Sequence, residues 1–186
     1  MTENGRKQIL VSGLGGQGVL FATGILLEAA RAKGLDAIAS ETHGMAQRGG
    51  SVVSHIKLGG FLSPLVRSGS ADLLLSLQRE EAFRNLHFVR PGGTVVINSP
   101  ALTQEQAALA DQLKERGVNF VIKDATAVAK SAGTPRAGNV ALLGIACASG
   151  AVPFDTEELK TAIETLAQGP RMEPNLKVFE AALVAK

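Results

Sequence analysis

The residues of this chain most suited to binding an anion are four glycines within six positions, Gly13, Gly15, Gly16 and Gly18. An apolar run that begins at Gln8 precedes them, and a pattern typical of a helix begins at Val19. Backbone N–H groups at the start of a helix meet the positive end of its dipole. A strand, a bare loop and a helix in this order therefore predict a phosphate-binding loop.

The spacing of these glycines fits two known loops. Gly13-x-Gly15-x-x-Gly18 matches the dinucleotide fingerprint, whose glycines allow a tight turn, close approach of a pyrophosphate and close helix–strand packing. The same spacing occurs in P-loops, but Val19 and Leu20 stand where lysine and serine or threonine would reach the terminal phosphates and magnesium. We therefore do not expect hydrolysis of ATP or GTP.

A second polar, glycine-rich loop, residues 42–50, follows the strand predicted over residues 35–40. Its Arg48 can pair with phosphate or carboxylate. Both loops follow strands of one parallel sheet, so they should emerge at the same carboxyl edge, where such folds bind ligands. An alternative remains open, because Glu41 ends this strand where a nicotinamide-binding domain places its ribose-binding acid.

The remaining pattern alternates strands and helices before a C-terminal third that is helical. This order predicts an α/β fold, doubly wound and Rossmann-like, with a mostly parallel sheet and helices on both faces. The length of 186 residues suits one domain spanning residues 1–186. Asn139 begins a helix in the C-terminal third and is either its N-cap or a ligand contact.

The first helix predicts both a core face and a contact surface. Its face toward the sheet should hold five apolar residues: Phe21, Ala22, Ile25, Leu26 and Ala29. Thr23, Glu28 and Arg31 mark the opposite face. Leu20 and Leu27 fall on that polar side beside Gly24, and they predict a stripe that another protein would cover.

Composition excludes several classes of function. Lysine and arginine number 19 against 17 acidic residues, and the only aromatic residues are seven Phe, so nucleic acid is not an expected partner. No apolar run is long enough for a membrane span, and the N-terminus does not resemble a secretion signal, which predicts a soluble cytoplasmic protein.

The lone Cys147 cannot hold an iron–sulfur cluster. No metal site or independent catalytic apparatus is expected from the spacing of the three histidines and the carboxylates.

Together, the two loops resemble a known family. Gly-Leu-Gly-Gly-Gln-Gly-Val, ending at Val19, and Glu-Thr-His-Gly-Met-Ala-Gln-Arg-Gly-Gly-Ser-Val, ending at Val52, resemble the gamma subunit or domain of thiamine-diphosphate-dependent 2-oxoacid:ferredoxin oxidoreductases. The second loop is most similar to the indolepyruvate branch. The resemblance extends to Ala137-Gly-Asn-Val-Ala-Leu-Leu-Gly144 and Pro174-Asn175 and so covers nearly the whole chain.

This resemblance implies a subunit that is inactive alone. In the family, a 2-oxoacid is decarboxylated on thiamine diphosphate, electrons pass through iron–sulfur clusters to ferredoxin, and the acyl group passes to coenzyme A. The resemblance implies that thiamine diphosphate and the clusters belong to a partner subunit. It implies a shared coenzyme A site for this chain.

The resemblance also implies roles for individual residues. The residues expected at coenzyme A are Gly13, Gly15, Gly16, Gln17, Gly18, Arg48 and Asn139. Those expected to face the partner subunit are His43, Gly44, Met45 and Gln47, together with Leu20 and Leu27. Two alternatives remain, a free-standing NAD(P)-binding domain that uses residues 13–18 and Glu41, and a docking subunit whose glycine loop binds nothing.

Overall fold

The computed structural model describes residues 5–43 and 49–185, and of His43 it describes only the backbone. The strands are β1 (Lys7–Leu14), β2 (Ala37–His43), β3 (Ser51–Leu58), β4 (Ala71–Ser76), β5 (Val89–Asn98) and β6 (Asn119–Lys123). The helices are α1 (Val19–Ala32), α2 (Arg79–Asn85), α3 (Gln104–Glu115), α4 (Ala125–Ser131), α5 (Gly138–Ala148), α6 (Thr156–Leu166) and α7 (Met172–Leu183). None of the helices within these described ranges is long and apolar enough to cross a bilayer.

The strands form one sheet in the order β2-β3-β1-β4-β5-β6. Strands β1, β4, β5 and β6 pair in parallel, whereas β3 pairs antiparallel with both β1 and β2. Five of the six strands therefore point the same way, which confirms the predicted mostly parallel α/β fold. The antiparallel direction of β3, which lies between β2 and β1, was not predicted.

The strand register brings both glycine-rich loops to one edge of the sheet. Leu14, the last residue of β1, pairs with Ser51, the first residue of β3. His43, the last residue of β2, pairs with Val52. We call this the carboxyl edge, because β1, β2, β4, β5 and β6 all end there. Strand β2 runs to His43 and not to residue 40 as predicted, so Glu41 lies within the strand.

Helices cover the two faces of the sheet unequally. The larger core joins one face to α1, α4, α5, α6 and α7, and it includes Ile9, Ile25, Leu142, Ile163 and Phe179. The smaller core joins the other face to α2 and α3, with Leu10, Leu74, Val95 and Ile97 at its centre. The C-terminal helices therefore stack on the same face as α1, which brings the start of α5 beside the glycine loop.

The faces of α1 differ in part from the prediction. Ala22, Ile25, Leu26 and Ala29 are buried as expected, but Thr23 is also buried, with only 3% of its surface exposed, so its assignment to the polar face is wrong. The reason is α6, which covers a second side of α1: a Cβ atom on Gly24 would lie 3.5 Å from Leu166 Cδ1.

The predicted leucine stripe on α1 is correspondingly only half exposed. Leu20 has 48% of its surface exposed. Leu27 is half-buried against the larger core, so it already packs within this chain. The stripe is therefore less exposed than expected, and partner contacts at Leu20 and Leu27 stay predictions.

Candidate functional site

The loop between β1 and α1 is closed by its own polar groups. The N–H of Leu14 donates to Gln17 Oε1 at 2.8 Å, and the N–H of Gln17 donates to the carbonyl oxygen of Leu14 at 3.1 Å. The N–H of Gly15 donates to the carbonyl oxygen of Gly50 at 2.8 Å, which joins the first glycine loop to the end of the second. These bonds fix the shape of the loop before any ligand arrives.

Two of the glycines are required for close approach. A Cβ atom on Gly13 would lie 2.9 Å from Gln17 Oε1 and 3.1 Å from Leu77 Cβ. Gly13 therefore lets the end of β1 lie close to Leu77, the residue that follows β4. Gly18 has φ = +83°, and its Cβ atom would lie 2.4 Å from Asn139 Nδ2. The distances of 2.9 Å and 2.4 Å are shorter than a Cβ atom normally keeps from another heavy atom, and the positive φ of Gly18 also favours glycine.

Asn139 connects the glycine loop to the C-terminal helices. It is the second residue of α5, only 6% of its surface is exposed, and its Nδ2 donates to the carbonyl oxygen of Gly18 at 3.1 Å. Ala137 is the N-cap of α5, so Asn139 is not the cap that the sequence left as an alternative. Its amide instead holds the start of α5 against the start of α1.

A cleft opens where these two helix starts meet. One cavity of about 300 Å³ is bordered by the glycine loop, the ends of β4 and β5, and the start of α5; it includes Gly16, Gln17, Asn98, Thr126 and Arg136. A second cavity of about 560 Å³ lies beside α1 and includes Phe21, Arg136, Arg171, Pro174 and Asn175. Arg136 and Asn139 line both cavities, which therefore adjoin.

Asn98 shapes the floor of the smaller cavity. This residue ends β5; its Nδ2 donates to the carbonyl oxygen of Leu77 at 3.1 Å and to Thr126 Oγ1 at 2.9 Å, and its Oδ1 accepts from the N–H of Thr126 at 3.1 Å. The ends of β4 and β5 and the first turn of α4 are thereby held together. The sequence indicated this position only through its place directly after an apolar strand.

The cleft has a positive character. Arg136 and Arg171 line it and are both exposed, and α5 begins at its wall with Gly138 and Asn139. No described residue accepts a hydrogen bond from the N–H of Gly16 or Gly18. Cationic side chains, free N–H groups and a helix start are the features that favour phosphate. Neither Arg136 nor Arg171 was predicted from the sequence, because their proximity to the glycine loop depends on how distant helices pack.

The structure assigns different local roles to the residues predicted to bind coenzyme A. Gly16 is exposed beside the smaller cavity, with space around its α-carbon. By contrast, Gly15 already donates its N–H to Gly50, and Gln17 uses its side chain to close the loop and to reach Gln78 Oε1 at 3.3 Å. Gly15 and Gln17 therefore already use these groups within the chain, and their contacts with coenzyme A stay predictions.

The structure describes only part of the remaining set of predicted contact residues. Gly44, Met45, Gln47 and Arg48 lie outside the described residues. The backbone of His43 ends β2 at the carboxyl edge, next to Val52. The roles predicted for these five residues stay predictions.

The position of Glu41 does not fit the alternative of a nicotinamide-binding domain. In a dinucleotide-binding fold the acid ends the strand that lies directly beside β1. Here β3 separates β1 from β2, so Glu41 is two strands from the glycine loop, on the order of 10 Å across the sheet. Glu41 is not among the residues that line either cavity of the cleft.

Other reactive groups lie away from the cleft. Cys147 is half-buried near Thr156, and burial raises the pKa of its thiol. Within residues 5–43 and 49–185, no three His, Cys, Asp or Glu side chains gather as a metal site would require. The chemistry available in the described cleft is therefore the binding and orientation of an anionic ligand.

Comparison with known proteins gives consistent relatives. The subunit IorB of indolepyruvate oxidoreductase from Archaeoglobus fulgidus is 33% identical, over 94% of this chain and 92% of the relative. The gamma subunit of a keto/oxoacid ferredoxin oxidoreductase from Geobacter sulfurreducens has a similar structure, with a TM-score of 0.70, 26% identity and coverage of 95% and 96% of the two chains.

A third relative shares the fold at lower identity. The 2-oxoglutarate:ferredoxin oxidoreductase of Magnetococcus marinus, whose structure holds 2-oxoglutarate, coenzyme A and succinyl-CoA, matches with a TM-score of 0.75 and 19% identity, over 97% of this chain and 31% of that one. The sequence model of the family described as pyruvate ferredoxin/flavodoxin oxidoreductase matches residues 8–185. The chain belongs to the pyruvate ferredoxin/flavodoxin oxidoreductase family.

Proposed function

We propose that this chain, as one gamma-type domain over residues 1–186, is the small subunit of a 2-oxoacid:ferredoxin oxidoreductase. Its relatives over nearly the full length are subunits of such enzymes. Four relatives that match with 30–33% identity over at least 92% of both chains are named as subunits of indolepyruvate oxidoreductase, which supports indolepyruvate, or a similar arylpyruvate, as the substrate. The complex would convert the 2-oxoacid to an acyl-CoA and pass the electrons to ferredoxin.

The companion subunit supplies thiamine diphosphate and the iron–sulfur clusters in this proposal. An iron–sulfur cluster is normally held by about four thiolates, and this chain contains a single cysteine, Cys147. The described cleft offers donors and cations but no general acid or base beside the glycine loop. These features suit a subunit that binds and orients a substrate and leaves the bond-breaking steps to its companion.

The contribution of this chain to the reaction is a binding site for the phosphate groups of coenzyme A. The cleft beside Gly16 supports this role most strongly, because Arg136 lines both of its cavities and Gly16, whose N–H has no described acceptor, lines the smaller one. A coenzyme A molecule carries a pyrophosphate and a further phosphate. An adjoining pair of cavities of about 300 and 560 Å³ suits such an elongated, anionic ligand.

The test is steady-state kinetics of the complete complex with Arg136→Gln. Loss of a charge-assisted hydrogen bond to phosphate should raise the KM for coenzyme A about 10-fold or more and change kcat little. Arg116→Gln is the matched control, because Arg116 is exposed after α3 and lies outside the cleft.

Three results would contradict the proposal. An unchanged KM for coenzyme A in Arg136→Gln would remove the cleft from the coenzyme A site. Full oxoacid-dependent ferredoxin reduction by the companion subunit without this chain would defeat the subunit function itself. Tight binding of NADH by the isolated chain would restore the nicotinamide alternative.

A further inference from the structure

The segment that joins β3 to β4, residues 59–70, lies at the edge of the sheet opposite the carboxyl edge. It contains no regular helix or strand, yet it is fixed at both ends. Arg6 Nε donates to the carbonyl oxygen of Gly59 at 3.1 Å, and Arg6 Nη2 donates to that of Gly60 at 3.3 Å. Val66 is buried in the smaller core, and its N–H donates to His55 Nδ1 at 3.2 Å.

Between these fixed points the segment holds apolar side chains in solvent. Leu62 has a relative exposure of 103%, and Leu65 has 50% of its surface exposed. A fully exposed leucine adds no burial to this chain, so its hydrophobic contribution can come only from contact with another molecule. Because the backbone around it is already anchored, little ordering would accompany that contact.

The same segment lies against an uncompensated positive charge. Lys57 has only 7% of its surface exposed, and its Nζ lies 4.9 Å from the ring centroid of Phe61. Arg6 approaches the same ring, with its Cζ also 4.9 Å from the centroid. No carboxylate among the described residues forms an ion pair with Lys57, Arg6 or Arg67.

The surroundings of the Lys57 ammonium would favour a nearby carboxylate. Burial, followed by repulsion from Arg67, lowers the pKa of the Lys57 ammonium. The stem of Lys57 is buried, while its Nζ still reaches solvent. A partly desolvated ammonium favours a nearby carboxylate, and another molecule could bring one. Contact with the Phe61 ring offsets only part of this desolvation.

We propose that residues 59–70, together with Arg6 and Lys57, form a docking surface for the companion subunit of the oxidoreductase. We call this surface the leucine loop. The companion should present an apolar pocket to Leu62 and Leu65 and at least one carboxylate toward Lys57 and Arg67. This inference rests on the proposed function, because it requires that a companion subunit exists.

The charges favour a companion over a second copy of this chain. A two-fold contact would place each leucine loop against its own equivalent. Arg6, Lys57 and Arg67 would then face the same three cations across the interface, and such like-charge contacts disfavour association. A complementary acidic surface on a different subunit avoids this repulsion.

The first experiment measures assembly with the purified companion subunit. The double variant Leu62→Asp/Leu65→Asp should weaken the dissociation constant about 100-fold, because it removes two anchors of the interface. Circular dichroism should remain unchanged, since neither leucine is buried. Leu109→Asp is the matched control: Leu109 is 42% exposed on α3, away from the segment, and this variant should assemble normally.

A second variant separates docking from folding. Lys57→Met removes a partly desolvated charge and keeps an apolar stem, so the isolated chain should unfold at a higher urea concentration while its affinity for the companion falls about 10-fold. A purely structural lysine would not produce this opposite pair of effects. Unchanged affinity in either Lys57→Met or the leucine double variant would overturn the proposal.

Two other outcomes are equally decisive. If the wild-type chain does not bind the companion at all, the proposed function fails together with this inference. If light scattering shows a dimer of the wild-type chain that the leucine double variant abolishes, while binding to the companion is normal, the surface belongs to a second copy and the proposal is wrong.

Discussion

The two opposite edges of the sheet differ in whether their polar groups already have partners within the chain. At the carboxyl edge, Gly15, Gln17 and Gly18 all hydrogen-bond within the chain, and these bonds shape a concave cleft. At the other edge, the leucine loop is exposed, with Leu62 in solvent and Lys57 unmatched by any described carboxylate. The carboxyl edge is held in shape before a ligand binds. At the other edge, we propose that the exposed leucines and Lys57 find their partners only when the companion subunit binds.

This difference follows from what each surface must do. A small, charged ligand gains most from donors that are already positioned, because no ordering opposes its binding. A protein partner instead gains most binding free energy from apolar surface and charged groups that are exposed to water in the free subunit. Both edges contain several glycines, so glycine content alone does not distinguish a ligand loop from a docking loop.

Gly18→Ala should cause the largest loss of stability at the carboxyl edge. The new methyl group would lie 2.4 Å from Asn139 Nδ2, and the residue would keep φ = +83°. Strain and steric overlap together should lower the free energy of unfolding by about 3 kcal/mol. Urea denaturation of the isolated chain measures this loss.

Gly16→Ala is the matched control within the same loop. Its φ is +92°, but a Cβ atom there would meet open space. The loss should therefore be limited to backbone strain of about 1–2 kcal/mol. Equal losses in the two variants would show that the contact with Asn139 does not fix the loop. Gly16→Val would carry backbone strain of the same kind, because the positive φ is unchanged.

Asn139→Ala tests the bridge between the two helix starts and should have a smaller effect. It removes a buried hydrogen bond and leaves the Gly18 carbonyl oxygen with one partner fewer, which should lower the free energy of unfolding by about 2 kcal/mol. Asn175→Ala is the control, because Asn175 lines the same cleft but bonds only to the exposed Arg171 carbonyl oxygen. A comparable loss in Asn175→Ala would mean that burial of the bridge is unimportant.

The fold could be predicted from the sequence as far as local periodicity determines it. The first strand, the glycine loop and α1 were recognisable because the pattern changes from an apolar run to helical spacing at Gly18. The direction of β3 was not, since a period-two pattern is the same in parallel and antiparallel strands. Burial of Thr23 was also missed, because α6 returns over α1 from more than a hundred residues away.

The candidate site shows the same limit. Glycine spacing located the loop but not the bond between Gly18 and Asn139, which spans 121 positions of sequence. Arg136 and Arg171 have no motif of their own and join the cleft only through the packing of α5 and α7. Lys57 likewise has no motif of its own, and the ring of Phe61, which follows the strand, lies 4.9 Å from its Nζ.

The smallest predicted effect concerns His55, which anchors the leucine loop through Val66. Its pKa lies below its usual value of about 6.5, first because of burial and then because of the nearby Lys57 charge. The unfolded chain therefore binds more protons at this residue than the folded chain does. Its stabilising contribution is complete above about pH 6.5 and is lost as the pH falls from there toward the folded-state pKa.

Urea denaturation at pH 7.5 and 5.5 measures this contribution as a difference between the wild type and His55→Gln. The wild type should lose more stability on acidification, by no more than about 1.4 kcal/mol per pH unit for a single histidine. Protonation of Nδ1 would also remove the acceptor for the Val66 N–H, so the leucine loop should loosen first. If both proteins show the same pH dependence, His55 is already solvated, and the second edge is less tightly fixed than its contacts with Val66 and Lys57 indicate.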